Sequence, residues 1–369
     1  MRALIRWADS WMFEAYAARP MDLAVYRVLF AAYLLFAVVP SGLWVADAPS
    51  AFFSPPVSLA ALFGGFPPAW VMVALNAALA ASACLLLVGW RTPGAAVCTG
   101  VLLLCLRSWE YATGKINHDI LLVAVPLALA FSGWGRALSV DAARRPARAP
   151  HEPRPSWGLG LLAFIIGTAM FAAGALKLLS GWLSPATHAT YGHMVLNVVS
   201  TGRDTWLSGR LLSTGSATAW EAADWGATLL EVGFAAAMLH QRAFRAALAL
   251  ACLFHLGVWL LFDIVFVANV VAYGAFVAYS PLLERLGLPR GAPGRPLGRR
   301  GAAMAIAGTT LVGAAALWAG EPLESALRLQ LEEVIIIAGA LASAAWLLRE
   351  ARGLLSRMRR TVGTIVRLT

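Results

Sequence analysis

Residues 69–89 read AWVMVALNAALAASACLLLVG and contain no charged side chain. About twenty helical residues of this kind are needed to cross the hydrocarbon core of a bilayer. The whole chain has the same character, since 60% of its 369 residues are hydrophobic, 13% are charged, and the mean hydropathy is +0.71. Soluble globular domains are less apolar than this. We therefore expect an all-α fold, a polytopic bundle of transmembrane helices.

Outward from residues 69–89, apolar stretches of similar length recur along the chain, and about ten spans are predicted. They cover roughly residues 21–40, 69–89, 93–108, 118–135, 157–178, 225–240, 244–261, 264–280, 302–319 and 332–349. The third, seventh and eighth are short, and only Asp263 separates the seventh from the eighth. Counts of nine or eight spans are therefore the alternatives.

The distribution of arginine predicts the orientation of the bundle. With the N-terminus inside, 22 of the 29 basic residues fall on one side of the membrane. Cytoplasmic loops carry an excess of positive charge, so both termini are predicted to be cytoplasmic, in the cell (inner) membrane. Loops lying against an anionic leaflet also explain the net charge of +10. Membrane lipids are thus expected partners, and nucleic acid is not.

Composition divides the chain into five predicted parts. They are an interfacial amphipathic helix at 1–20, a transmembrane domain at 21–285, a basic linker at 286–301, an accessory transmembrane hairpin at 302–349 and a basic cytoplasmic tail at 350–369. Residues 41–68 and 179–224 would be the long connections on the outer side. The second is long enough to predict short helices near 186–198 and 205–213. The cysteines lie in apolar runs, so no disulfide is expected, and no metal site is predicted.

Two lysines, Lys115 and Lys177, stand among the 29 basic residues, and all the others are arginine. Arginine stays protonated in proteins, whereas a desolvated lysine can lose its proton and act as a base. Lysine at these two positions, near the edge of the predicted membrane, is therefore a candidate for chemistry. The alternative for both is an interfacial lysine that extends its charge toward water.

Other polar and ionisable side chains lie in the outer half of the predicted membrane. They are Asn117, His118 and Asp119 at the start of the fourth span, Glu231 in the sixth and His255 in the seventh. An ionisable residue at such depth is unfavourable unless it faces the bundle interior and has a partner, so a site shared with Lys177 is predicted. The structural alternatives are that His255 hydrogen-bonds a neighbouring helix, Glu231 pairs for packing, and Asp119 caps its helix.

Three motifs carry a resemblance to a known family. They are Asn117-His118 with the later Ser139-Val140-Asp141, the segment Phe171-Ala-Ala-Gly174-Ala-Leu-Lys177-Leu-Leu-Ser-Gly-Trp182, and His255 before an apolar span with Glu231 on the preceding helix. In this order they resemble the vitamin K-dependent gamma-glutamyl carboxylases and the wider superfamily of horizontally transferred transmembrane (HTTM) proteins. The resemblance covers roughly residues 20–285.

The resemblance implies a reaction and its site residues. Lys177 would be the base that deprotonates a reduced quinone, a vitamin K-type quinol or menaquinol, and His118 would hold a quinol oxygen. Oxygen (O2) would convert the quinol to an epoxide, and the base so generated would allow carbon dioxide (CO2) to add to a glutamate. Supporting or substrate-binding roles would fall to Asn117, Asp119, Glu231, His255, Trp182 and Lys115. The site would face the periplasm or exterior.

The sequence also departs from the carboxylases. Leu176 stands where they have the first lysine of a pair, and Leu179 and Gly181 replace acidic residues. Two predicted spans stand in place of their large lumenal domain, so the acceptor is left open as a peptide or a small molecule. The alternative function is a non-enzymatic HTTM membrane protein with a lipid-binding, export or immunity role. A transporter is a third class, but no inverted repeat supports it.

Overall fold

The computed structural model describes residues 2–144, 152–203, 205–287 and 321–366. Most of these residues are helical and only two strands of two residues occur among them, which confirms the predicted all-α class. The helices are α1 (Arg2–Glu14), α2 (Pro20–Tyr33), α3 (Ala69–Val88), α4 (Thr92–Glu110), α5 (Leu121–Leu129), α6 (Val140–Ala143), α7 (Trp157–Leu179), α8 (Ala189–Thr201), α9 (Trp206–Thr214), α10 (Ala217–Ala237), α11 (Gln241–Phe262), α12 (Val267–Tyr273), α13 (Ser280–Arg285) and α14 (Glu321–Val366).

Short helical turns and one small sheet complete the described structure. A π-helical turn, Leu34–Val38, extends α2, and 3-10 turns cover Leu43–Asp47, Ser50–Phe52, Leu59–Leu62, Tyr111–Thr113, His118–Ile120 and Gly274–Phe276. The strands β1 (Ala17–Ala18) and β2 (Arg154–Pro155) pair antiparallel. Two residues per strand make this a local clamp between distant chain segments.

Six helices in the described part of the chain are long and apolar enough to cross a membrane, so the chain is a helical membrane protein. They are Pro20–Asp47, Ala69–Val88, Thr92–Thr113, Trp157–Leu179, Gln241–Phe262 and Leu329–Met358. Shorter apolar helices, His118–Leu129 and Val267–Phe276, occupy the predicted spans at 118–135 and 264–280. The predicted span at 225–240 overlaps α10, which ends at Ala237, carries three carboxylates and is not one of the six. The predicted span at 302–319 lies outside the described residues.

The chain divides into two compact units. The first comprises residues 1–166 and 267–332, and the second comprises residues 167–266 and 333–369. The second unit therefore holds the end of α7, the whole of α8 to α11, and most of α14. The two short helices predicted near 186–198 and 205–213 are confirmed as α8 and α9.

In the first unit, α3 and α4 form a tight helical hairpin. The turn between them uses left-handed backbone at Gly89 (φ 69°) and Arg91 (φ 45°), which reverses the chain within a few residues. The hydroxyl oxygens of Ser82 and Thr99 lie 3.0 Å apart across the hairpin. Small polar side chains of this kind let two membrane helices approach and satisfy each other's hydrogen bonds.

An aromatic cluster forms the centre of the first unit. The ring centroids of Tyr26 and Phe30 on α2 lie 6.5 Å and 6.4 Å from that of Trp134, and the side chains are almost fully buried. The Tyr26 hydroxyl donates to the Val271 carbonyl of α12 at 3.1 Å. This cluster therefore fixes α2 against chain segments more than a hundred residues away.

Candidate functional site

An ion pair joins two helices of the second unit. Lys177 lies in the last turn of α7, and its Nζ atom is 2.5 Å from both carboxylate oxygens of Glu231 on α10. The side chains retain 19% and 7% of their accessible surface, so the carboxylate is nearly closed off and the amine is partly open. The structure thus supplies the partner that an ionisable group in an apolar helix requires.

Gly174 explains why the two helices can approach closely enough for this pair. It lies three residues before Lys177, so the two positions share one face of α7. A Cβ atom at Gly174 would lie 2.8 Å from the Val232 backbone nitrogen and 2.9 Å from the Glu231 Cβ atom. Only a residue without a side chain fits there, and the glycine therefore positions the amine on the carboxylate.

Trp182 covers the other side of the Lys177 amine. The chain turns at the end of α7, where the Trp182 backbone N–H donates to the Lys177 carbonyl at 3.1 Å. This turn places the indole ring centroid 5.3 Å from Nζ, within range for a cation–π interaction. The ring also stacks on His193 of α8, with centroids 4.8 Å apart. His193 was not a predicted site residue, because nothing in its sequence spacing links it to Trp182.

The polar face of α10 continues beyond Glu231. Glu221, Asp224, Thr228 and Glu231 are spaced by three, four and three residues, which places them on one side of the helix. Glu221 pairs with His188, whose Nδ1 atom lies 3.1 Å from the carboxylate. The same spacing in the sequence was a usable signal that the helix begins well before residue 225.

Asp224 fastens α8 to this polar face. Its fully buried carboxylate accepts from the backbone N–H groups of Ala189 and Thr190, at 3.0 Å and 2.8 Å, and from the Thr190 hydroxyl at 2.5 Å. These are the unpaired donors of the first turn of α8, so Asp224 acts as a helix cap supplied from another helix. The cap fixes the helix that carries His193.

His255 lies on α11 in the same unit and is 2% exposed. Its ring stacks on that of Phe266, with centroids 4.8 Å apart and planes 18° from parallel. Aromatic packing therefore orients this histidine. Its participation in one site with Lys177 and Glu231 stays a prediction.

A second charged network lies in the first unit, around Asp119. The Tyr111 hydroxyl donates to one Asp119 oxygen at 2.5 Å, and an Arg107 Nη atom lies 3.0 Å from the other. Arg107 also pairs with Glu110, whose carboxylate accepts from the Ser41 hydroxyl at 2.6 Å. Asp119 thus pairs with side chains, and the N-cap positions of this segment have no side-chain cap hydrogen bond.

Three further predicted site residues lie just before Asp119 in the sequence. His118 is half-buried in the 3-10 turn before α5, and Asn117 and Lys115 are exposed in the preceding loop. All three belong to the first unit and Lys177 to the second. A direct cooperation of His118 with Lys177 stays a prediction.

The Ser139-Val140-Asp141 motif has a structural role in the first unit. The Asp141 carboxylate accepts from the backbone N–H groups of Arg91 and Thr92, at 2.9 Å and 2.8 Å, and so caps α4. The Ser139 hydroxyl accepts from Ala142 N–H at 2.8 Å and caps α6. Arg27, fully buried on α2, donates to the Leu138 carbonyl beside them. The motif therefore ties three helices together at one end of the unit.

An apolar cavity of about 590 Å³ lies in the first unit between residues 59–68 and the helices α3 and α4. Phe63, Phe66, Cys105 and Trp109 are among its lining residues, and the rings of Phe63 and Trp109 are 4.9 Å apart. This volume is within the range of small-molecule sites. Among the residues the structure describes, no group of three or more His, Cys, Asp or Glu side chains is placed to hold a metal ion.

In the comparison with known protein families, the model of the HTTM domain matches residues 17–279. The matched range includes the Lys177–Glu231 pair, the Asp119 network, the Ser139–Asp141 caps and the apolar cavity. No curated protein and no solved structure matches the chain.

Proposed function

This chain belongs to the HTTM domain family, and on that premise we propose that it is a membrane enzyme that oxidises a reduced quinone with O2. The observation that carries the proposal is the Lys177–Glu231 pair. It places an amine and a carboxylate in direct contact, with the amine partly open to a neighbouring molecule.

The pair itself acts as the proposed base. While Lys177 is protonated it cannot accept another proton. Transfer of one Nζ proton to Glu231 leaves a neutral amine and a neutral acid, a state that an apolar environment favours over separated charges. The neutral amine can then accept the proton of a quinol hydroxyl, and Glu231 retains the first proton. The proposed role of Lys177 therefore depends on its contact with Glu231.

Trp182 and the chain around it supply the proposed enclosure. The indole ring covers Nζ, and the turn that carries it is held by the Lys177 carbonyl. Excluding water from an amine protects a basic group from protonation by solvent. The quinol would supply the electrons, so that quinol and O2 give the quinone epoxide and one water.

The apolar cavity of the first unit supports an apolar substrate. Its aromatic and aliphatic lining suits a quinone ring or a prenyl chain, a vitamin K-type quinol or menaquinol, and offers few polar partners. His118 remains the proposed holder of a quinol oxygen, with Asn117, Asp119, Lys115 and His255 in supporting roles. A CO2 addition to a peptide or small-molecule acceptor is the further step that the resemblance implies. Leu176 is 66% exposed and stands where the carboxylases have the first lysine of a pair. Because that lysine is missing, quinol oxidation without carboxylation is the narrower proposal.

The proposed topology has about ten spans, with both termini cytoplasmic in the cell (inner) membrane. The concentration of arginine on one side of the spans supports it. With that orientation, the end of α7 that carries Lys177 faces the periplasm or exterior.

The deciding experiment uses the purified protein in lipid nanodiscs supplied with reduced menaquinone or reduced vitamin K. Oxygen uptake and quinone epoxide are measured together, and one O2 consumed per epoxide formed is the expected result. Labelled CO2 in a parallel sample reports carboxylation separately. Uptake no faster than in protein-free nanodiscs, with either quinol, would contradict the enzyme proposal and leave the lipid-binding, export or immunity role.

A further inference from the structure

A second, much smaller cavity lies at the start of α7 in the first unit, on the side predicted to be cytoplasmic. It measures about 20 Å³ and is lined by side chains that include Ser132, Arg136, Arg154 and Ser156. A volume of this size holds one water-sized group. Its polar lining contrasts with the apolar cavity described above.

The backbone holds the polar lining in place. Arg154 is paired with Ala18 in the β1–β2 clamp, and the Ser156 N–H donates to the Tyr16 carbonyl at 2.8 Å. Ser156 directly precedes the long helix α7, whose first backbone N–H groups have no partner within the helix. The positive end of the α7 dipole therefore lies at this cavity.

Ser156 gives an independent indication that the cavity receives a ligand. The residue is 5% exposed, and its Oγ atom is buried without a hydrogen-bond partner among the described residues. A buried hydroxyl left unpaired is unfavourable, and native proteins rarely contain one. Ser132, in the same lining, differs because its hydroxyl donates to the Leu129 carbonyl at 2.7 Å.

The two arginines at the mouth are available for an anion. Arg136 and Arg154 are exposed, and none of the ion pairs in the described part of the chain involves either of them. The guanidinium of Arg136 lies over Gly133, where a Cβ atom would be 2.8 Å from its Nε atom. Asp22, the residue before Leu23 of the lining, accepts from the Ser280 backbone N–H at 2.6 Å.

We propose that this cavity binds a phosphate group. One phosphate oxygen would enter the cavity and accept from the Ser156 hydroxyl, while Arg136 and Arg154 would pair with the oxygens at its mouth. The end of α7 adds the positive potential that favours anions at helix N-termini. The phosphate belongs either to an anionic lipid headgroup of the cytoplasmic leaflet or to free phosphate. This proposal is independent of quinol oxidation.

Binding of defined probes to the full-length protein in detergent tests the site. The probes are dihexanoyl phosphatidylglycerol, dihexanoylglycerol, which has the same chains without phosphate, and inorganic phosphate. Calorimetry should detect binding of the phosphatidylglycerol and none of the dihexanoylglycerol. Displacement of the bound lipid by inorganic phosphate would identify free phosphate as the ligand, and failure to displace it would identify the lipid headgroup. No binding of either phosphate-containing probe would overturn the proposal.

Matched variants locate the binding. Arg154→Gln and Ser156→Ala should each weaken binding about tenfold or more, because each removes a hydrogen bond to a charged group. Arg285→Gln is the matched control, because it removes the same charge from another exposed position on the side predicted to be cytoplasmic. This variant should bind as the wild type does. Equal weakening in Arg154→Gln and Arg285→Gln would show attraction by net charge alone and would overturn the site.

Discussion

The Nζ atom of Lys177 lies 2.5 Å from both carboxylate oxygens of Glu231 and 5.3 Å from the Trp182 ring centroid. A carboxylate from α10 and an indole ring from the turn after α7 thus both contact the amine of Lys177. The amine keeps 19% of its side-chain surface, whereas the carboxylate keeps 7%. Access to the pair is therefore through the lysine, which is the group proposed to take the substrate proton.

Lys177→Arg should abolish quinol oxidation while leaving the protein folded. Arginine keeps the positive charge and can still pair with Glu231, but it does not release a proton in proteins. We expect a loss of at least about a hundredfold in rate, the usual contribution of a general base. The rate of oxygen uptake in nanodiscs, with thermal unfolding in detergent as the folding control, checks this. Equal activity in wild type and variant would show that the pair is structural.

Gly174→Ala should separate the ion pair without changing a charged residue. The added methyl would meet the Val232 backbone and the Glu231 Cβ atom at under 3 Å, so α7 and α10 must move apart. Overpacking of this kind costs about 1–3 kcal/mol, and we expect a lower thermal midpoint together with lower activity. Gly226→Ala on α10 is the matched control, because a Cβ atom there meets nothing within 4 Å. An unchanged midpoint in Gly174→Ala would contradict the close contact.

The sequence predicted the helices because apolar length is a local pattern, and six of the predicted spans are helices long and apolar enough to cross a membrane. The rise per residue predicted similar depths for Lys177 and Glu231, and the structure brings these two side chains into contact. The sequence pattern places Glu221 and Asp224 in the connection 179–224, whereas α10 already begins at Ala217. The structure instead uses Asp224 inside the helix to cap α8.

The partners of Asp119 were beyond sequence reasoning for a different reason. Arg107 and Glu110 stand three residues apart near the end of α4, a spacing that signals a shared helix face but not a third partner. Asp119 reaches Arg107 only because the chain turns back through Tyr111–Thr113. Contacts made by such a turn depend on its backbone geometry, which the residue pattern did not reveal.

Cys105 provides a direct test of the apolar cavity. Its thiol is partly accessible and lines that cavity, whereas Cys84 and Cys252 are buried and Cys98 is exposed. In a Cys98→Ser background, N-ethylmaleimide should modify Cys105, and a quinone at ten times its Kd should slow the modification about tenfold by mass action. Intact-protein mass spectrometry follows the reaction. The exposed Cys98 of a Cys105→Ser variant is the control and should react at the same rate with and without quinone. If Cys105 reacts at the same rate with and without quinone, quinone binds elsewhere.

The proposed orientation predicts which residues react from outside the cell. Ser50 and Ser216 are exposed in the two long connections predicted to lie outside, and Ser356 is exposed in the basic part of α14. Introduced singly, Ser50→Cys and Ser216→Cys should react with a membrane-impermeant maleimide added to spheroplasts, because arginine-rich segments stay inside. Ser356→Cys should react only after the membrane is permeabilised, which also shows that the thiol is reactive. The opposite pattern would place the Lys177 end of α7 in the cytoplasm, and the proposed site would then face the reducing side of the membrane.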